Sequence, residues 1–598
     1  MNRFFFMIIL MILNVNSSLH SNNLISYRGL ALGNIIADDL DLIYDPIDLQ
    51  FVEGVRVYTN LSNATSGEEK LFGNVSDDEF LFGISAEGPF LNFMHHSLLI
   101  KFQKSEISNP VEIDSDLDGY NDFYGSGNIT NEYNAFYDSD EDGFFDLKQM
   151  ISQNKSNLTN NNNYSFILNN SFELWFFSMG LKLSVGDFKN SRNTSSVALG
   201  SINSVLLGVS EDDPTFEKSL SNFLLDINED NFTLTENGDF KSLDKFNFSR
   251  FDVSAMFEIG NFEIRGDANL SSNQNIFEIK DIYSGGYQYF ENESINYEDY
   301  YSESDSYLSL TEESGSTIGY GGSLRYIFNY QDERKNDGYW KIGFSMRLGS
   351  YDYDASIFSS YLNNEFRFDG SFYEDENFDV ETNDKTDITD SGTKNETSYA
   401  FNSSLNIPIN DNIHFGIGAI VSHNKTSRMT LYNEEINNLL VRAFTDTTID
   451  NYKITENYAL VADRNHDVSE TRYIVPTGLE YRLGQQNQFS LRVGSIFQLS
   501  SIEIKDSKEI NEDESEPFTW IKEYSDGTLE LYMVDDIYES TKEVNKTTIS
   551  STIFTYGFGF NPMNNFQIDL LGVFNSDASV LDTEFYKNLQ ISFTLKFD

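Results

Sequence analysis

"FDVSAMFEIGNFEIRGDANL", residues 251–270, is the stretch that decides the fold. Phe251, Val253, Ala255, Phe257 and Ile259 fall on one side of an extended chain. After Gly260-Asn261, Phe262, Ile264, Gly266, Ala268 and Leu270 do the same, while Glu263, Arg265, Asp267 and Asn269 occupy the other side. A period of two is the signature of a strand whose successive side chains alternate between faces. A Gly-Asn pair between two such runs marks a tight β-hairpin.

The device recurs along the chain. Trp340, Ile342, Phe344, Met346 and Leu348 alternate against Lys341, Ser345 and Arg347, and further pairs are read at 399–409 with 413–421, 473–483 with 489–499, and 554–560 with 566–574. Most of these runs are 9 to 11 residues long, whereas strands of water-soluble sheets usually stop at about five or six and a tilted membrane-crossing strand needs about 9 to 11. Short turns near 88–95, 260–261, 331–338, 410–412, 484–488 and 561–565 alternate with long stretches at 187–247, 271–316, 352–396, 423–471 and 500–549. The pattern predicts an all-β chain, a transmembrane antiparallel β-barrel of 14 to 16 strands with short turns on one side and long, extracellular loops on the other. Stretches 51–60 and 164–186 account for the range, and an even count would put both ends of the barrel on the short-turn side. The negative charge gathers in the long stretches: 352–396 has 13 acids to 3 bases, and 271–316 has 10 to 1. Tyr330 and Trp340, Tyr481 and Phe489, and Phe560 and Phe566 flank short turns, where an interfacial aromatic girdle belongs.

Composition excludes several classes. The 598 residues carry a formal charge of −55, which repels nucleic acid and attracts divalent cations. There is no Cys, so thiolate metal sites and thiol chemistry are ruled out. The first residues combine a basic Arg3 with an apolar run from Phe4 to Val15 and then small or polar residues. This predicts a secretory signal peptide over 1–21, since the run is too short to cross a bilayer as a helix. Residues 22–50 then form a separate N-terminal segment, and 51–598 the barrel. No G-x-S-x-G or H-E-x-x-H motif is present. Asp463 and His466 are an acid and a base three residues apart that a polar loop supplies by chance, so no enzymatic activity is expected.

Residues 114–122, "DSDLDGYND", and 138–146, "DSDEDGFFD", repeat one arrangement. Carboxylates at positions 1, 3 and 5 converge in a tight loop and the following glycine allows the turn, which is the front half of an EF-hand calcium loop. Position 12 is Gly125 in one copy and Gln149 in the other, not the bidentate Glu of a calcium sensor. The repeats resemble the calcium motifs of thrombospondin type 3 and dockerin-like segments. That resemblance implies structural Ca²⁺ ligated by Asp114, Asp116, Asp118 and Asp122, and by Asp138, Asp140, Asp142 and Asp146, in a surface loop spanning 105–163.

"RGLALGNIIADDLDLIYDPIDL", residues 28–49, resembles the N-terminal motif of the FadL-like outer-membrane long-chain fatty-acid transporters. Ala37, Asp38, Asp39, Tyr44, Pro46 and Leu49 match, whereas Asp45, Ile47 and Asp48 replace the Asn, Ala and Gly of the family's box. The resemblance implies that residues 22–50 enter the barrel as a hatch and that hydrophobic solutes leave through the wall. The final run, Leu589 to Phe597, alternates like the C-terminal strand signal of bacterial outer-membrane proteins, with Asp598 following the terminal aromatic residue. It implies recognition by the barrel-assembly machinery and a place among the lipids of a Gram-negative outer membrane. The expected function is a channel or transporter for small, hydrophobic solutes; the alternative is a surface scaffold, adhesion or secretion-associated barrel.

Overall fold

The structure, a computed structural model, describes residues 26–61 (34 and 37 excepted), 79–88, 94–108, 110–113, 123–126, 129–137, 147–174, 177–205, 227–291, 297–329, 336–368, 378–444 (411 excepted), 450–484, 488–534, 539–575 (564 excepted) and 590–597. Sixteen antiparallel strands close a ring. They are β1 (Val55–Leu61), β2 (Glu79–Glu87), β3 (Met94–Ser108), β7 (Leu147–Leu174), β8 (Phe177–Val205), β9 (Ile227–Ile259), β10 (Phe262–Glu291) and β11 (Tyr297–Asn329). The ring continues through β12 (Gly338–Phe368), β13 (Phe378–Asn410), β14 (Ile413–Phe444), β15 (Tyr452–Leu483), β16 (Phe489–Ile510), β19 (Thr541–Met563), β20 (Phe566–Asn575) and β21 (Gln590–Phe597). Each pairs with its neighbours in this order, and β1 closes the circle by pairing with both β2 and β21. Closure removes the exposed edges that an open sheet would present. Val55 lies opposite Phe597, so the barrel is entered and left at one rim, that of the short turns.

The faces are inverted relative to a water-soluble sheet. On β10, Phe262 and Ile264 are each 46% exposed while Glu263 between them is 2% exposed. On β15, Leu479 is 44% exposed and the adjacent Glu480 only 1%. Water would drive the opposite arrangement, so the exposed apolar face is one made for lipid and the charged face is turned to the interior. From Phe262 to Leu270 the apolar band runs about 30 Å along the strand. A tilt of about 40° reduces that to about 23 Å, close to the 25 Å band of a membrane barrel. Among the described residues no helix is long and apolar enough to cross a membrane.

Strand length departs from the sequence reading. β10 has 30 residues and β11 33, and they pair without a break from Phe262 opposite Tyr326 to Glu291 opposite Tyr297. The long stretches 271–316, 352–396 and 423–471 are therefore largely strand rather than loop. At about 3.3 Å per residue such strands run about 100 Å, far beyond the apolar band. Within the stretch 164–186, Tyr164 to Ser171 belongs to the 28-residue β7. The physical reason is that a ladder satisfies its own N–H and C=O groups whatever the side chains are, so polar residues on both faces do not stop it in water.

Residues 105–163 also differ from a plain loop. β4 (Pro110–Ile113) pairs with β5 (Phe123–Ser126), and β6 (Ile129–Tyr137) pairs with the start of β7. A further hairpin, β17 (Glu516–Tyr524) with β18 (Leu529–Val534), attaches to β15 beyond the end of β16.

Candidate functional site

The interior of the ring is occupied from its entry side. Residues 26–54 approach β1, β3, β8, β10, β15, β20 and β21 through named side chains and β16 through the backbone at Gly33. A single short segment can reach so many strands of one ring only from inside it. Locally, a helix Tyr27–Ala31 is capped by Ser26, whose hydroxyl accepts from Gly29 N at 2.9 Å. A second helix, Asp39–Tyr44, supplies Asp41. Its carboxylate accepts from Ser26 N (3.0 Å), Ser26 Oγ (2.6 Å) and Asp38 N (2.8 Å), tying the two helices together. Burial pushes the Asp41 carboxyl up to about 6 against the opposing pull of those hydrogen bonds.

Two polar clusters join this segment to the wall. In the first, Arg28 donates to Glu480 through Nε (3.0 Å) and Nη2 (2.9 Å). Arg492 reaches the same carboxylate at 2.9 Å, Arg482 does so at 2.8 Å, and Arg492 also pairs with Asp569. Asp38 lies 3.5 Å from Arg28 and accepts from Gln567 at 3.4 Å. The charges of Arg28, Arg482 and Arg492 are thus balanced by Glu480, Asp569 and Asp38, the arrangement that buried ions require. In the second cluster Arg265 meets Asp48 in a two-pronged contact, with Asp45 at 3.9 Å and Glu263 at 3.5 Å. Arg325 joins Glu263 (3.5 Å) to Asp337 (3.8 Å).

The matched residues are distributed as follows. Asp38 belongs to the first cluster. Asp39 pairs with Arg56 (3.9 Å) and Lys596 (3.1 Å), joining the first and last strands. Lys182 Nζ sits 3.3 Å from the centroid of the Tyr44 ring and donates to Tyr44 O. Pro46 lies against Gly180, where a Cβ would come within 2.9 Å of the proline Cβ. Gly33, at φ +68°, approaches Thr477 more closely still, so that a Cβ there would clash with Thr477 O. Leu49 is buried with Leu40, Leu42, Ile43, Val52, Tyr58 and Leu99. Ala37 lies outside the described residues. So do Asp114, Asp116, Asp118, Asp122, Asp138, Asp140, Asp142 and Asp146. The residues that flank them are described: Ile113 is opposite Phe123, and Tyr137 is opposite Leu147.

Asp45 and Asp48, the departures from the family box, have roles of their own. Asp45 Oδ1 accepts from Ile47 N (2.8 Å) and Asp48 N (3.3 Å), shaping the turn, while Asp48 holds Arg265. Arg28, Asp41, Glu480, Arg492 and Asp569 went unread in the sequence. The available signal was an acid or a base inside an alternating strand close to a short turn. The Asp463 and His466 pair is separated by alternation onto opposite faces of β15, and His466 Nδ1 contacts Asp506 instead.

No protein-family model and no curated protein matches the chain. Among solved structures it is similar to a mutant of the ferric enterobactin receptor PfeA from Pseudomonas aeruginosa, at 8% identity and a TM-score of 0.24 over 91% of this chain and 80% of that one. It is also similar to the ferric-catecholate import receptor Fiu from E. coli K12 (8%, TM-score 0.22, 91% and 81%) and to the copper transporter OprC (8%, 0.21, 91% and 80%). These scores are low, and the architecture rests on the ladder of the chain itself. The likeness to FadL-like proteins rests on residues 28–49 alone.

Proposed function

We propose that this chain is an outer-membrane barrel that passes small solutes through its lumen, with residues 22–50 as a hatch. The observation that carries the reading is how the segment is held. Buried apolar residues such as Leu32, Ile36, Leu40, Ile43 and Leu49, together with ion pairs and hydrogen bonds, dock it to the wall through side chains, and among the described residues it adds no strand to the ladder. Side-chain contacts of that kind can be given up without breaking the backbone ladder that closes the ring. Structural Ca²⁺ at the two acidic motifs is part of the same proposal. Its support is that the residues flanking each nine-residue motif, Ile113 with Phe123 and Tyr137 with Leu147, are strand partners.

The test is a planar-bilayer recording of the full chain beside a variant lacking residues 22–50. Raised conductance in the variant is expected, because the segment fills part of the lumen. A variant that folds and conducts like the full chain would overturn the hatch.

A further inference from the structure

Exposed apolar side chains near the short turns face lipid, but those of β18 stand well away from it. Ile521 on β17 pairs with Thr455 on one side and with Leu531 on the other. Thr455 lies about 60 Å along β15 from Tyr473, where the exposed apolar run of that strand ends. At that distance Leu529, Leu531 and Met533 are 63%, 62% and 50% exposed, and lipid does not account for them.

Their backbone is open as well. Among the described residues β18 pairs only with β17. At the turn between them Tyr524 N donates to Thr528 O at 2.9 Å, which fixes the phase of the ladder. Lys522 with Glu530, Trp520 with Tyr532, and Phe518 with Val534 are then the pairs that exchange hydrogen bonds. The N–H and C=O groups of Leu529, Leu531 and Met533 therefore point to the free side. An edge of this kind is commonly blunted by Lys, by Pro or by a bulge, and Leu529–Val534 has none of the three.

Charge and direction narrow the occupant. Residues 511–540 hold ten acids and one base. A second copy would bring an equally acidic tip against the first, and two copies in one membrane would run their β18 strands parallel, the less stable pairing. A peptide rich in Lys or Arg meets opposite charge instead. Glu530 and Tyr532 share the face of β18 opposite to the leucines, offering a carboxylate and an exposed ring to a cation. Lys522 already uses rings of this hairpin and its neighbour in that way, its Nζ lying 4.1 Å from the Tyr452 centroid and 4.6 Å from that of Tyr524.

We infer that the free edge of β18 is a docking site for an extended cationic peptide segment, which alternates basic and apolar residues and joins the sheet as a further antiparallel strand. Its apolar residues lie opposite Leu529, Leu531 and Met533, and its basic ones beside Glu530 and Tyr532. The site does not depend on passage through the lumen. The probe is a fluorescent nonapeptide of alternating Lys and Val, added to the full chain in a neutral detergent and followed by anisotropy. Residues opposite one another in an antiparallel pair share a face, so the valine amides of the bound peptide face β18 and the lysine amides face water. Saturable binding is expected. N-methylation of the valines should weaken it about tenfold or more, and N-methylation of the lysines should leave it within about twofold. Leu531→Pro removes a donor that β17 does not use and should weaken binding as the valine methylation does. In the unaltered chain, amide exchange over 529–534 should slow when the peptide is bound, a readout that needs no substitution. Absence of binding, equal binding of a peptide with its lysines and valines in separate blocks, or equal effects of the two methylations would overturn the assignment. So would full binding by a folded Leu531→Pro chain or unchanged exchange over 529–534.

Discussion

Three guanidinium groups, from Arg28, Arg482 and Arg492, converge on the Glu480 carboxylate inside the barrel. Removing that one charge leaves them facing only Asp38 and Asp569, and breaking a buried pair in this way costs about 3 kcal/mol or more. The loss falls on the docked segment and not on the ladder, whose hydrogen bonds are made by the backbone. Glu480→Gln should therefore loosen residues 26–54 within an intact barrel. Arg28 supplies the readout, because it is a buried tryptic site. Cleavage after Arg28 should accelerate about a hundredfold if opening is fast relative to cleavage. An unchanged rate would mean that the carboxylate does not hold the segment. The pairing at the centre of this network was not legible in the sequence: Arg28 and Glu480 are 452 residues apart, and only the closing of a ring with eleven strands between them brings them together.

At the scale of elements, the apolar half of each strand was legible and the polar half was not. Between Phe251 and Leu270 one face is apolar and the other charged, so alternation is visible. Beyond Ser271 both faces are polar, as where Asn275 opposite Glu313 is followed by Gln274 opposite Ser314, and the ladder continues without a hydrophobic signature. The paired hairpins around the acidic motifs were hidden for the same reason. They carry the calcium prediction. Repulsion among Asp114, Asp116, Asp118 and Asp122, and among Asp138, Asp140, Asp142 and Asp146, opposes closing each motif, and a divalent cation would relieve it. Without a twelfth-position Glu the affinity should fall in the extracellular range of about 10⁻⁴ to 10⁻³ M. EGTA should render the part of 105–163 that carries the acidic motifs, between β3 and β7, protease-sensitive while the barrel persists, and Asp116→Ala with Asp140→Ala should do so with Ca²⁺ present. Equal digestion with and without millimolar Ca²⁺ would show that the motifs are acidic turns only.

For the molecule as a whole, the account stands on closure. The pairing of β1 with β21 gives each of the sixteen strands a hydrogen-bonded neighbour on both sides, which is the condition for a sheet to live in lipid. The inverted faces, with Glu480 sheltered and Leu479 open, then follow from lipid outside and polar groups within. Electrophoresis of unboiled and boiled protein in SDS tests this most directly. A closed barrel resists the detergent until heated, so the unboiled protein should run as a compact species distinct from the boiled one and be recovered with membranes. Identical mobility together with recovery in the soluble periplasmic fraction would contradict the barrel.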